Sequence, residues 1–160
     1  MKTFGAFVHL TENTKVKWVR PNDDTLKQEY EIEYKKHLIY EVGDVFPTLK
    51  SFLDAAKKGT VQEITPSHDS KIMNRSHTRS MTSLLSLIKG YRSYPKFRNE
   101  NTLNAMRDAM LTGKTMDMPI IVSDGRRERI FAGNTRMDMA FMHGLKVEAL
   151  TILLPEGVRL

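Results

Sequence analysis

From Pro119 to Arg136 the chain reads PIIVSDGRRERIFAGNTR, two short apolar runs joined through Asp124-Gly125, with the second running straight into Gly133. Pro119-Ile120-Ile121-Val122 and Arg129-Ile130-Phe131-Ala132 are strands of one hairpin, because an Asp-Gly pair supplies the positive-φ turn that right-twisted strands accept. No spacer separates Ala132 from Gly133. Met137, Ala140 and Phe141 then recur at helical spacing until Gly144, and Val147–Leu153 is a further strand. A chain ordered in this way must turn from strand to helix within one or two residues, and glycine is the residue that permits it.

Upstream the pattern is mixed. Phe4–Leu10 and Val16–Val19 read as short strands around the polar turn Thr11–Thr14. Asp23–Tyr40 carries both a helical spacing (Leu26, Tyr30, Tyr34) and a strand-like alternation from Tyr30 to Tyr34, and the start of this segment favours helix. Leu49, Phe52, Leu53 and Ala56 form one helical stripe, with Lys57-Lys58-Gly59 as a basic C-terminal turn and a left-handed stop. Val61–Ile64 is a strand closed by Thr65-Pro66. A polar stretch, Ser67–Ser80, precedes a helix striped by Met81, Leu84, Leu85 and Ile88. Asn99 can cap another helix, striped by Leu103, Met106 and Met110 and ending at Gly113. The expected fold class is α+β: a small mixed-sheet domain over residues 61–160 behind an N-terminal α+β extension over residues 1–60.

The chain has 160 residues, 40% of them apolar, enough to build a core. No apolar run approaches the roughly 18 residues of a membrane span, and Met1–Phe7 is too short for a secretory h-region. With no cysteine, disulfides, thiolate metal sites and a cysteine nucleophile are excluded. A cytoplasmic location is expected. Of the net charge of +6, nearly all lies beyond residue 60, and Lys71–Arg98 holds seven Lys/Arg and no acidic residue. Such a block attracts phosphates, whether of a nucleotide or of a nucleic-acid backbone. Lys89, Arg92, Lys96 and Arg98, interleaved with Tyr91, Tyr94 and Phe97, are the candidate nucleic-acid face; a plainly solvated basic surface has the same composition. The ten methionines suit adaptable packing, and Trp18 reads as a core or edge aromatic.

Two segments could carry chemistry. At Gly133-Asn134-Thr135-Arg136, glycine lets the backbone approach a ligand, and the first amides of the following helix point outward at its positive end. Asn134 can cap that helix, Thr135 adds a hydroxyl, and Arg136 offers a planar fork for phosphate oxygens. Simple strand-to-helix punctuation would use the same residues. In the polar stretch, Arg75 and Arg79 could clamp a polyphosphate. Asp69 and Asn74 could help to hold Mg²⁺ through oxygen ligands. His68 or His77 has the pKa of a general acid or base, while Ser76 and Thr78 would equally suit a capping loop with exposed arginines.

The order of strand, helices, PIIV, hairpin, RIFAGNTRMDMA and HGLKVEALTI resembles the ParB/sulfiredoxin-type domain. In that family a strand ends in Gly-x-x-Arg, a helix with small residues follows, and Gly-Leu-x-Val leads to the last strand. Gly133 and Arg136 match the motif, Ala140 the small helix residue, and Gly144-Leu145 the last turn. The resemblance covers about 100 residues, has one sharp motif, and extends to many small phage-encoded proteins; for one of those the location would be the host cytoplasm. Residues 1–60 have no counterpart in it.

What the resemblance implies is a nucleotide-binding enzyme that hydrolyses or transfers phosphate from ATP or another nucleoside triphosphate with Mg²⁺. Arg136 and the amides after Gly133 would hold phosphates, with Arg75 and Arg79 facing them from the segment after the first strand. Asp69 or His77 would orient the attacking group. Without cysteine, sulfinic-acid reduction is excluded. Chromosome-segregation ParB proteins continue into helix-turn-helix domains, whereas this chain ends at Leu160, so a partition role is not expected. The alternatives are a non-catalytic nucleic-acid-binding protein that uses the basic block, and a ParB-like nuclease or DNA-modification protein that uses both features.

Overall fold

A computed structural model describes residues 16–35, 46–72 and 100–160. The described chain is mixed α+β. Its elements in order are β1 (Lys17–Val19), α1 (Asp23–Lys35), α2 (Leu49–Lys57), β2 (Thr60–Ile64), α3 (Pro66–Asp69), α4 (Glu100–Leu111), β3 (Thr115–Asp117), β4 (Ile120–Ser123), β5 (Glu128–Ala132), α5 (Asn134–Met142) and β6 (Val147–Leu153).

Four strands form one sheet in the order β2-β6-β4-β5. β6 runs antiparallel to β2 and parallel to β4, and β4 and β5 make the expected hairpin. The period-two alternation of β-strands sorts the side chains of this sheet onto two faces. Ile121, Ile130, Val147 and Ala149 join Leu103 and Met110 of α4 and Met137, Met139 and Ala140 of α5 in one core. Ile120, Val122, Phe131, Leu150 and Ile152 join Leu26 and Tyr30 of α1, Phe52 and Ala56 of α2, and Phe46 in a second. With both faces covered, β4 reads as a continuous apolar run.

The helices start where local chemistry starts them. Asn22 caps α1, its Oδ1 accepting from the Thr25 amide at 2.8 Å, with Asp23 and Asp24 in the first turn. Thr48 and Ser51 make a reciprocal capping box at α2. An aromatic column then ties both helices to the sheet. The rings of Tyr30 and Phe52 stack at 5.4 Å, Phe46 meets Phe52 edge-on at 5.5 Å, and Phe52 stacks on Phe131 at 5.0 Å. The Tyr30 hydroxyl donates to the Phe46 carbonyl at 2.8 Å.

Because α1 and α2 cover a whole face of the sheet, position 60 does not divide the hydrophobic core. β1 forms a separate two-stranded parallel sheet with β3, Trp18 lying opposite Met116. The Trp18 indole donates to the Lys146 carbonyl at 2.7 Å, and the residue packs, partly buried, against the first core. β3 has no signature in the sequence, and Phe4–Leu10, Met81–Ile88 and Asn99 lie outside the described residues. Among those described, no helix is long and apolar enough to cross a membrane.

Two expectations about caps are corrected. Gly59 does not stop α2 in a left-handed conformation, because it is absent from the glycines with positive φ and the C-cap residue Lys58 is right-handed at φ −87°. Space is what demands glycine there: a Cβ would sit 2.9 Å from Leu150 Cδ1 and 3.0 Å from the Thr151 carbonyl oxygen. Asn134 does not cap α5. The N-cap is Gly133 itself, at φ 93° and ψ 19°, without a side-chain capping bond, and Asn134 is the first helical residue.

Candidate phosphate site at the end of β5

The approach to Gly133 is set by a β-bulge. Ile120 lies opposite Ala132 and Ile121 opposite Ile130, so Phe131 is the extra residue on β5. A bulge bends its strand and re-aims the backbone beyond it. Gly133 then takes a left-handed conformation that L side chains rarely adopt. A Cβ there would also lie 2.8 Å from Pro119 Cα and 2.9 Å from Nη2 of Arg136. Conformation and crowding both require glycine, as the motif predicts.

From that turn α5 begins at once, with the Met137 amide donating to the Gly133 carbonyl at 3.0 Å as its first helical bond. Asn134, Thr135 and Arg136 therefore occupy the turn whose amides have no acceptor inside the helix. No acidic residue lies in that turn, unlike the first turn of α1. Arg136 instead adds a cation to the positive end of the helix, an arrangement that favours an anion beside it. Its guanidinium folds back over Gly133, and Nη1 lies 3.9 Å from Oε1 of Glu29 on α1. Both side chains are only about a fifth exposed, at 19% and 20%. Among the described residues the Oδ1 of Asn134 is buried and makes no hydrogen bond. Asp138, one turn further along α5, is a buried carboxylate.

A second polar cluster lies at the other end of β5. His68 Nε2 meets Glu128 Oε1 at 2.5 Å, and Gln62 Nε2 donates to Glu128 Oε2 at 3.1 Å and to Thr151 Oγ1. Arg126 and Arg127 are exposed at the hairpin tip, whereas Glu128 is drawn inward by His68 and Gln62. α3 is fixed by Thr65, whose Oγ1 accepts from the His68 amide at 3.1 Å, and Asp69 comes next, half-buried, in the same turn. β5 separates Glu128 from Gly133 by roughly 16 Å, so the ring of His68 is anchored at the far end of that strand from the glycine turn.

The structure thus places Gly133, Asn134, Thr135 and Arg136 together at one junction and Asp69 on α3. Asn74, Arg75, His77, Arg79, Lys89, Arg92, Lys96 and Arg98 lie outside the described residues. Among those described, no group of three or more His, Asp or Glu is arranged to hold a metal ion. Sequence reasoning missed Glu29, whose helix is marked by Leu26 and Tyr30 but whose meeting with Arg136 has no local signal. Neither family models, curated proteins nor solved structures provide a match to this chain.

Proposed function

We propose that this protein is a nucleotide-binding enzyme of the ParB/sulfiredoxin-like class, which takes the phosphates of a nucleoside triphosphate at the β5–α5 junction and hydrolyses or transfers one of them. The observation that carries the reading is the electropositive start of α5: a left-handed Gly133, a helix N-terminus without an acidic residue, and Arg136 folded back over the turn. Outward amides and a guanidinium are the donors phosphate oxygens require. Phosphoryl transfer asks a protein mainly for positioning and charge neutralisation, which such a junction supplies. Mg²⁺ would ride on the phosphates with most of its waters, as that ion prefers, with Asp69 and Asn74 as its protein oxygens. Arg75 and Arg79 would complete the clamp, and Asp69 or His77 would orient the attacking group.

The test is thermal shift with nucleoside mono-, di- and triphosphates, with and without Mg²⁺, and then phosphate-release assays. A ligand at a hundred times its Kd stabilises the fold by about 2.7 kcal/mol. The shift should be largest for triphosphates and disappear in Arg136→Gln. Shifts that survive Arg136→Gln would overturn the reading. Salt-sensitive binding of single- or double-stranded DNA, lost when Lys89, Arg92, Lys96 and Arg98 become Gln, would then favour a nucleic-acid-binding protein.

A further inference from the structure

The structure does not leave Arg136 facing open water. Glu29 approaches it from α1, in the segment for which the ParB resemblance offers no counterpart, and both groups are four-fifths buried. The closest approach, 3.9 Å, is about an ångström longer than a charge-assisted hydrogen bond. The carboxylate therefore faces the guanidinium as an ion pair rather than through a short charge-assisted hydrogen bond. α1 itself is held by Leu26 and Tyr30 in the core, so Glu29 is presented to Arg136 by a fixed backbone.

We infer that Glu29 is an internal counter-ion occupying the position of the ligand, and that a phosphate must displace it to reach Arg136. This rests on the phosphate reading of the β5–α5 junction. A displaced carboxylate carries one negative charge, whereas a phosphate group carries up to about two at neutral pH. Exchange therefore favours anions with more charge than the group they replace. Glu29 sets a charge threshold: polyphosphates bind, and monoanions such as nitrate do not. It also couples the N-terminal helix to the site, because an occupied site leaves Glu29 without its cation.

The experiment is titration of the intact chain with pyrophosphate, orthophosphate and nitrate, by calorimetry and amide-detected NMR, in the native sequence and in Glu29→Gln, Glu29→Asp and Arg136→Gln. Removing the competing charge in Glu29→Gln should tighten pyrophosphate by about tenfold and allow nitrate to bind. Glu29→Asp, one methylene shorter, should tighten it by a smaller factor, and keeps the test alive should the Gln variant not fold. Arg136→Gln should bind none of the three. Equal affinity in the native chain and Glu29→Gln would overturn the inference while leaving the phosphate site standing. Weaker binding in Glu29→Gln would overturn it too, making Glu29 a residue that positions Arg136. Absence of binding in every variant, Glu29→Gln included, would overturn the inference and the phosphate site together.

Discussion

The guanidinium of Arg20 closes the C-terminal end of α2, donating from Nη2 to the Ala56 carbonyl at 2.6 Å and also reaching those of Lys57 and Gly59. A helix end leaves its last carbonyls without partners, and here a cation from the β1–α1 connection satisfies them. Arg20→Met keeps the apolar stem and removes the donors. It should cost about 1–2 kcal/mol in urea unfolding, and Arg20→Lys should recover only part because the ammonium is more strongly hydrated and sits on a shorter stem.

Gly133 and Gly125 provide a controlled comparison. Both have positive φ, 93° and 89°, but a Cβ on Gly125 would meet nothing within 4 Å, whereas one on Gly133 would strike Pro119. Gly125→Ala should cost about 1 kcal/mol, the strain of the left-handed conformation alone. Gly133→Ala should exceed it by about 1–3 kcal/mol through overpacking, and should also perturb the α5 amide resonances. Equal costs in denaturant melts would show that Pro119 gives way.

Phe52 is fully buried at the centre of the aromatic column, against Tyr30, Phe46 and Phe131. Phe52→Ala should destabilise by about 3–5 kcal/mol, read from chemical denaturation. Tyr30→Phe, which removes the donor to the Phe46 carbonyl, should cost about 1 kcal/mol.

Among the described residues, His143 and Asp124 each add a step to the pH dependence of stability. His143 has its pKa lowered from 6.5 by burial and by the nearby Arg107 charge, so its neutral form favours the fold. That contribution is fully present above 6.5 and lost as pH falls through the lower folded value. Asp124 is held at about 2 by backbone amides of Arg127, Leu160 and Arg126 donating to its carboxylate. Its contribution is present above the ordinary value of 3.8 and lost as pH falls toward 2. Melting temperature against pH should show both losses. His143→Gln should remove the upper one, and Asp124→Asn the lower.

What is legible in the sequence is what local chemistry decides. The Asp124-Gly125 hairpin, the Phe52 stripe and the β5–Gly133–α5 turn each depend on residues within a few positions of one another. The rest is decided at long range. β3, Thr-Met-Asp, has no apolar run and exists as a strand because Lys17–Val19, 98 positions earlier, pairs with it. Glu128 directly follows the exposed Arg126-Arg127 tip, and its inward turn depends on Gln62 and His68. Gly59 reads as a left-handed stop because nothing near it in the chain signals its crowding by Leu150. Asn134 reads as a cap because the pattern cannot tell which residue of Gly133-Asn134 starts the helix.

The strand order has a consequence for the time course of synthesis. β6 comes after every other described strand, yet it lies inside the sheet, between β2 and β4. A nascent chain carrying residues up to Gly144 has made both helical layers and the β4–β5 hairpin, but β2 has no strand to join. Until Val147–Leu153 leaves the ribosome, the sheet is two unconnected pieces with apolar faces in water, the condition in which partly made chains stick to one another. Completion of the fold therefore waits on a seven-residue insertion, and loss of β6 would uncouple the sheet rather than merely shorten it.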